Sequence, residues 1–310
     1  MPVSYFINKS GLIKASGTDL TDFLNRMSTN DFRSFHEGEF RYTVLTSDKG
    51  RIIDLVNFVN FGEEKFLICT SGFEEKIIEH LDKYIIMDDV KLEKAHGHYS
   101  KISIFTNEPE TLSSELFNIK CEKDKAYKIN EKDILFFNDG KINTLNIICE
   151  EKHVSVYRNL MKDITGLSFD EYEFKRISNH IPEGENELND QINPMECGLE
   201  KFISFKKGCY IGQEVIARID SQGKIPKSMV SIVSDNEFNR GDKVFNSDNK
   251  KEVGFISSVI KNDDKYYGLA FLRRTELDGE NKFYIEREGN KNEINILKKE
   301  IESEVKSESN

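Results

Sequence analysis

The chain has 310 residues, of which 37% are hydrophobic and 32% charged, and its formal net charge is −11. That length, with 22 Phe side chains, allows a sizeable core spread over two or three domains. The acidic balance argues against a general binder of nucleic acid or anionic membrane, and no run approaches the ~18 apolar residues that span a bilayer.

In chain order, Leu12–Ser16 reads as a short strand. Thr18 is placed to cap a helix whose apolar positions are Leu20, Phe23, Leu24 and Met27, one stripe at helical spacing. Arg41–Leu45 and Ile52–Phe61 read as strands around the turn Ser47-Asp48-Lys49-Gly50, and Lys65–Thr70 as another. A second helix follows, with Ser71 and Glu74 in capping-box spacing and Phe73, Ile77, Ile78, Leu81, Tyr84 and Ile85 on one face. The second half runs through a similar cycle. Ile102 and Ile104 alternate in a strand, Pro109 sits where a helix can begin, and two strands flank Asp139-Gly140 ahead of a helix through Val154 and Tyr157. Two such units suggest an α+β core with internal pseudo-symmetry.

Beyond Met229 the texture changes to short alternating runs separated by Asn, Asp and Gly, which predicts a small all-β barrel. The tail from residue 301 is expected to be flexible. The N-terminus shows no basic start followed by an apolar stretch, so no signal peptide and a cytoplasmic location are expected. Cys69, Cys121 and Cys149 sit in or near apolar strand-like stretches and read as buried thiols. No cysteine pair has zinc or redox spacing, and His96-Gly97-His98 reads as a polar turn, so no metal site is expected.

The informative segment is INPMECGLEKFISFKKGCYIGQEVIARID, from Ile192 to Asp220. Gly208 and Gly212 bracket Cys209-Tyr210-Ile211 and allow a tight turn or a close approach. Gly212 opens a predicted helix with Val215, Ile216 and Ile219 on its buried face, and a helix N-terminus suits an anionic group. Residues 200–228 hold six basic side chains against three acidic ones, an electropositive island in an acidic chain. A glycine-rich turn entering a core helix accounts for the same residues without any ligand.

KGCYIGQE at Lys207–Glu214 resembles the signature of the YgfZ branch of the family that also contains the glycine-cleavage T-protein. Arg176-Ile177, Ile181-Pro182, Asn193-Pro194-Met195-Glu196 and Gly198-Leu199 are similar in order and spacing to that family's central region. SGTDLTDFLNRMSTND and YTVLTSDKGRIID resemble its opening. The resemblance implies three domains around a central channel that holds a reduced folate, with a C-terminal β-barrel. The expected division is a discontinuous folate-binding domain (1–45 with about 150–226), a second α+β domain (about 46–150) and the barrel (227–300).

The cofactor implied is tetrahydrofolate or a one-carbon derivative, and the partners implied are iron–sulfur client or assembly proteins. A link to tRNA modification would be indirect, through an iron–sulfur enzyme, with neither membrane nor direct nucleic-acid contact. Glu196 falls where the family places a pterin-binding carboxylate, suited to two-point pairing with an amidine-like edge. Lys207, Gly208, Tyr210, Gly212, Gln213, Glu214 and Arg218 complete the implied binding set, with Arg218 a partner for the anionic tail. Cys209 is either a functional thiol, activated by the turn and by Lys207, or a packed small residue. The T-protein branch carries paired aspartates after its glycine turn. Here Arg51-Ile52-Ile53-Asp54-Leu55 has one, so Asp54 is the candidate for one-carbon transfer or the non-catalytic member of the pair. The expected function is a folate-binding accessory protein for iron–sulfur cluster assembly or repair. The alternative is a folate-dependent aminomethyl- or methyltransferase.

Overall fold

The computed structural model describes residues 2–277, 281–287 and 289–297, so the expected tail from 301 lies outside the described residues. The first half holds β1 (Ser4–Ser16), α1 (Leu20–Met27), β2 (Glu39–Thr46), β3 (Ile52–Phe61), β4 (Glu64–Cys69), α2 (Glu74–Asp82) and β5 (Lys91–Lys94). It continues with β6 (Tyr99–Phe105), α3 (Pro109–Phe117), β7 (Ala126–Lys128), β8 (Ile134–Asp139), β9 (Asn143–Glu150), α4 (Val154–Leu160) and β10 (Thr165–Gly166). These strands form one ten-stranded sheet in the order β2-β3-β4-β1-β6-β9-β8-β7, with β5 and β10 also paired to β1.

β1 is the hinge of that sheet. Ser4–Ser10 pair with β6, and Gly11–Ala15 pair with β4, so one strand joins two antiparallel units. This explains why β1 starts upstream of the predicted Leu12: its polar first half is secured by partners far away in the sequence. The sheet curls until its ends meet, with Glu39 bridged to Lys125 and Ala126 N–H donating to the Gly38 carbonyl.

α1 and α2 cover the outside of the first unit. Leu20, Phe23 and Leu24 are at most 1% exposed and pack with Phe58, Leu67 and Ile77, each contributing about 1.5–3 kcal/mol by burial. The predicted stripes are therefore the buried faces, but the predicted caps are not made. Thr18 gives both its N–H and its hydroxyl to Asp89, and the helix begins after Asp19 without a side-chain cap. Likewise α2 begins after Phe73, also without a side-chain cap, and the Glu74 carboxylate is buried near Lys94. α3 and α4 cover the second unit over Ile102, Ile104, Leu145 and Ile147. β2 and β3 pair along their whole length, so a division at 45/46 would part the two strands of one hairpin.

After β10 the chain forms α5 (Phe169–Ser178), α6 (Gly184–Glu187) and α7 (Gln213–Gln222), with 3-10 turns at Pro194–Cys197 and Glu200–Phe202. The C-terminal strands are β11 (Lys227–Ser234), β12 (Lys243–Asn246), β13 (Glu252–Asn262), β14 (Lys265–Arg273), β15 (Phe283–Arg287) and β16 (Asn290–Ile296). They close into a six-stranded barrel, β11-β14-β13-β12-β15-β16, as the alternating runs predicted.

Arg176 docks this barrel onto the rest. The residue is 3% exposed; its guanidinium holds both Glu173 oxygens (2.6 and 2.7 Å), Glu187 (3.3 Å) and the Ser258 hydroxyl on β13 (2.8 Å). Ser258 in turn donates to Glu187, which is fully buried. Replacing Arg176 by Met strands that carboxylate, so unfolding stability should fall by about 3–5 kcal/mol in urea titration. Adding Glu187→Gln to the variant should recover part of the loss, because no unpaired charge is then buried; no recovery would refute the account.

Candidate functional site

Inside the curl of the sheet, against α5, α6 and residues 198–202, lies a cavity of about 510 Å3. Strand alternation decides what faces it. On β3, Leu55 and Asn57 are in its wall, while Val56 and Phe58 belong to the core under α1 and α2. On β6, Lys101 and Ser103 are in the wall and Ile102 and Ile104 face away. Tyr42 from β2, Ile68 from β4, and Leu199 and Phe202 from the opposite side complete a largely apolar slot, with Tyr42 and Phe202 rings 5.3 Å apart. A second cavity of about 350 Å3 shares Tyr42, Asn138, Lys201 and Phe202 with the first.

The wall carries charges of both signs. Glu173 and Glu183 are engaged: Glu173 by Arg176, and Glu183 by the Tyr172 hydroxyl (2.6 Å) and the Asn8 amide (3.1 Å). Lys9, Lys141 and Lys201 stand at exposed positions of the rim. Burial lowers the pKa of Lys101, partly opposed by Glu183, and pushes the Tyr42 phenol well above its ordinary value. Asn57 is 2% exposed, and neither its side-chain oxygen nor its nitrogen has a hydrogen-bond partner among the described residues.

The predicted binding set lies elsewhere. Of the informative segment, Gly198, Leu199, Lys201 and Phe202 reach the cavity wall; Glu196, Lys207, Gly208, Tyr210, Gly212, Gln213, Glu214 and Arg218 do not. Glu196 is 4% exposed and works as a local cap: its Oε2 accepts from the Asn193 N–H at 2.8 Å and sits 3.4 Å from Arg51. Lys207 is buried, donates to the Ser28 carbonyl at 2.8 Å and to that of Asn30, and has its pKa brought down to about 8 by desolvation. Its Nζ lies 5.0 Å from the centre of the buried Tyr210 ring. Gly212 has φ +80°, and a Cβ there would stand 2.5 Å from the Ser47 carbonyl oxygen, so this glycine is needed for the motif to seat on the β2–β3 turn. Gly208 has open space around it. Gln213 and Glu214 begin α7, and Arg218 is exposed on it. Cys209 is exposed, whereas Cys69, Cys121, Cys149 and Cys197 are buried. Among the described residues, no three His, Cys, Asp or Glu side chains converge on a metal site.

Asp54 is also turned away from the cavity. It is fully buried, and its two oxygens accept from the Thr70 N–H and hydroxyl, both at 2.8 Å. Burial outweighs those bonds and raises its pKa from 3.8 to about 6. The folded state therefore holds a proton that the unfolded chain has already released. Asp54 contributes stability that is fully present below about pH 4 and lost as pH rises through about 6. Asp54→Asn should flatten this part of the stability–pH curve in denaturation series from pH 4 to 7; an unchanged slope would refute the assignment.

Residues 7–135 match the sequence profile of the GCVT N-terminal domain. A transferase-like chloroplastic protein of Arabidopsis thaliana is 27% identical over 85% of this chain, which spans 63% of that protein's length. The aminomethyltransferase of Aquifex aeolicus is 25% identical over 80% of this chain and 69% of its own. The crystal structure of the glycine cleavage system aminomethyltransferase T from Bartonella henselae has the same fold. Its TM-score is 0.81 at 12% identity, covering 96% of this chain and 85% of that one. Residues 7–135 thus match a GCVT N-terminal domain, and the chain has the α+β fold seen in a glycine-cleavage aminomethyltransferase.

Proposed function

We propose that the chain is a tetrahydrofolate-binding accessory protein that supports the assembly or repair of iron–sulfur clusters in client enzymes. The cavity volume of about 510 Å3 falls in the range of small-molecule sites. The apolar surface offered by Tyr42, Leu55, Ile68 and Phe202 suits one face of a flat heterocycle, and the rim lysines Lys9, Lys141 and Lys201 suit the carboxylates of a folate tail. Buried polar atoms without partners, as at Asn57, are what a site for a polar ligand retains.

One observation favours the accessory role over the transferase. The β3 position facing the cavity is Leu55, and the acid beside it, Asp54, is spent on Thr70 behind the strand. A reaction that needs a carboxylate on this strand to orient a substrate amine finds an alkyl group there instead. Of the other wall carboxylates, Glu173 and Glu183 are held by Arg176, Tyr172 and Asn8, and Glu185 stands at an exposed position on α6 rather than on this strand. Cys209 supports the second half of the reading: it is an exposed thiol outside the cavity, open to a client protein while a ligand occupies the slot.

The test joins calorimetric titration with tetrahydrofolate under reducing conditions to an assay for one-carbon transfer. Calorimetry suits a chain with no Trp. The expected result is binding without turnover, with Cys209→Ser binding as tightly as the parent yet failing to restore iron–sulfur enzyme activity in cells lacking the protein. Turnover abolished by Asp54→Asn would establish the transferase instead. Absence of binding would remove folate from the reading altogether.

A further inference from the structure

Among the described residues, Asn57 is the buried side chain of the cavity wall whose polar atoms the protein leaves without hydrogen-bond partners. Asn57 lies near the middle of β3, opposite Tyr42 on β2 and Ile68 on β4, and all three are in the cavity wall. It is 2% exposed, and both ends of its amide lack partners among the described residues. Its surroundings explain why. Tyr42, Leu55, Ile68 and Phe202 offer rings and alkyl groups, and the wall's nearby carboxylates and guanidinium are committed to one another. A buried amide in such a place weakens the free protein, since its lost hydration is not replaced. A leucine of similar size would fill the same volume without that cost.

Resting on the folate reading above, we infer that Asn57 selects the ligand by its head, pairing its side-chain amide edge to edge with the cis-amide edge of the heterocycle. A primary amide carries a donor and an acceptor side by side. A ring lactam, an N–H next to a C=O, carries the complementary pair, so two parallel hydrogen bonds form and both Asn57 orphans are satisfied together. The pairing is between neutral groups, so no buried charge has to be desolvated. Glu196, the carboxylate expected to read the ring, is occupied by the Asn193 N–H and Arg51 and lies outside the cavity wall. A neutral amide in the slot therefore takes the place of that charged reader, and the chemistry it recognises is the lactam edge rather than the amidine-like edge of the ring.

The inference couples two measurements of opposite sign. Asn57→Leu in the full chain should raise the melting temperature of the free protein by roughly 2 °C or more and weaken tetrahydrofolate binding about tenfold or more. Binding of p-aminobenzoylglutamate, which has the tail but no heterocycle, should not change. Should Asn57→Leu not fold, Asn57→Val, a strand-compatible alternative, carries the same expectations. A melting temperature that falls would show the amide to be a structural partner and overturn the inference. Unchanged tetrahydrofolate affinity would overturn it while leaving the folate reading standing. A parent protein that binds neither probe overturns the folate reading, and the assignment of Asn57 to a folate head falls with it.

Discussion

The structure depends on one buried guanidinium. Arg176 projects from α5 between the curled sheet and the barrel and gathers Glu173, Glu187, the Ile181 carbonyl and Ser258 around it. A cluster of this kind adds little net stability over a well-packed apolar one, but it tolerates few arrangements, because each member left unpaired is expensive. Here it fixes the order in which three pieces meet: α5, the short helix α6 and β13. Of these, α5 and α6 carry much of one side of the cavity, so the shape of the slot is inherited from the ion cluster that fixes them against β13.

That arrangement also sorts the polar groups of the cavity. The acids on the α5 side are neutralised by Arg176 and its neighbours, and the lysines of the rim are at exposed positions. What remains inside is apolar surface with Lys101, the Tyr42 hydroxyl and small polar side chains, and the unpartnered amide of Asn57. The alternation of β3 then sets the chemistry with single-residue sharpness. Shifting the strand register by one residue would exchange Asp54 and Leu55 between the core and the slot, and would put an acid where the cavity now has an alkyl group. The full-length pairing of β3 with β2 and the two bonds from Thr70 to Asp54 hold it in the present register.

Much of this was legible in the sequence, and the rest was hidden for identifiable reasons. Helical stripes such as Leu20, Phe23 and Leu24, and the barrel strands set off by Asn, Asp and Gly, are local signals and correspond to observed elements. The caps at Thr18 and Ser71 were locally plausible, but Asp89, 71 residues away from Thr18, took its donors. The location of the cavity depends on the pairing of β1 with both β4 and β6, which no local pattern encodes. The most recognisable segment, KGCYIGQE, drew attention from the slot itself. Yet a signal for the slot was present: Asn57 is a polar residue inside Leu55-Val56-Asn57-Phe58-Val59, a run that otherwise reads as buried strand.

The motif still bears on the cavity, through the backbone. The Ile211 N–H donates to the Arg26 carbonyl, the Thr46 hydroxyl donates to the Ile211 carbonyl, and Gly212 packs on the turn at Ser47 and Gly50. Lys207 meanwhile donates to the carbonyls of Ser28 and Asn30, just after α1, where Ser28 is bridged to Leu45 of β2. These contacts brace the β2–β3 hairpin from outside, and the same hairpin presents Tyr42, Leu55 and Asn57 to the slot. Gly212 cannot give way, since a side chain there would strike the Ser47 carbonyl. The segment that displays Cys209 to solvent is therefore mechanically continuous with the strands that line the cavity. The exposed thiol and the cavity are thus joined through one hairpin, braced by a buried lysine and a glycine, which is a physical reason for a sequence signature outside the cavity wall.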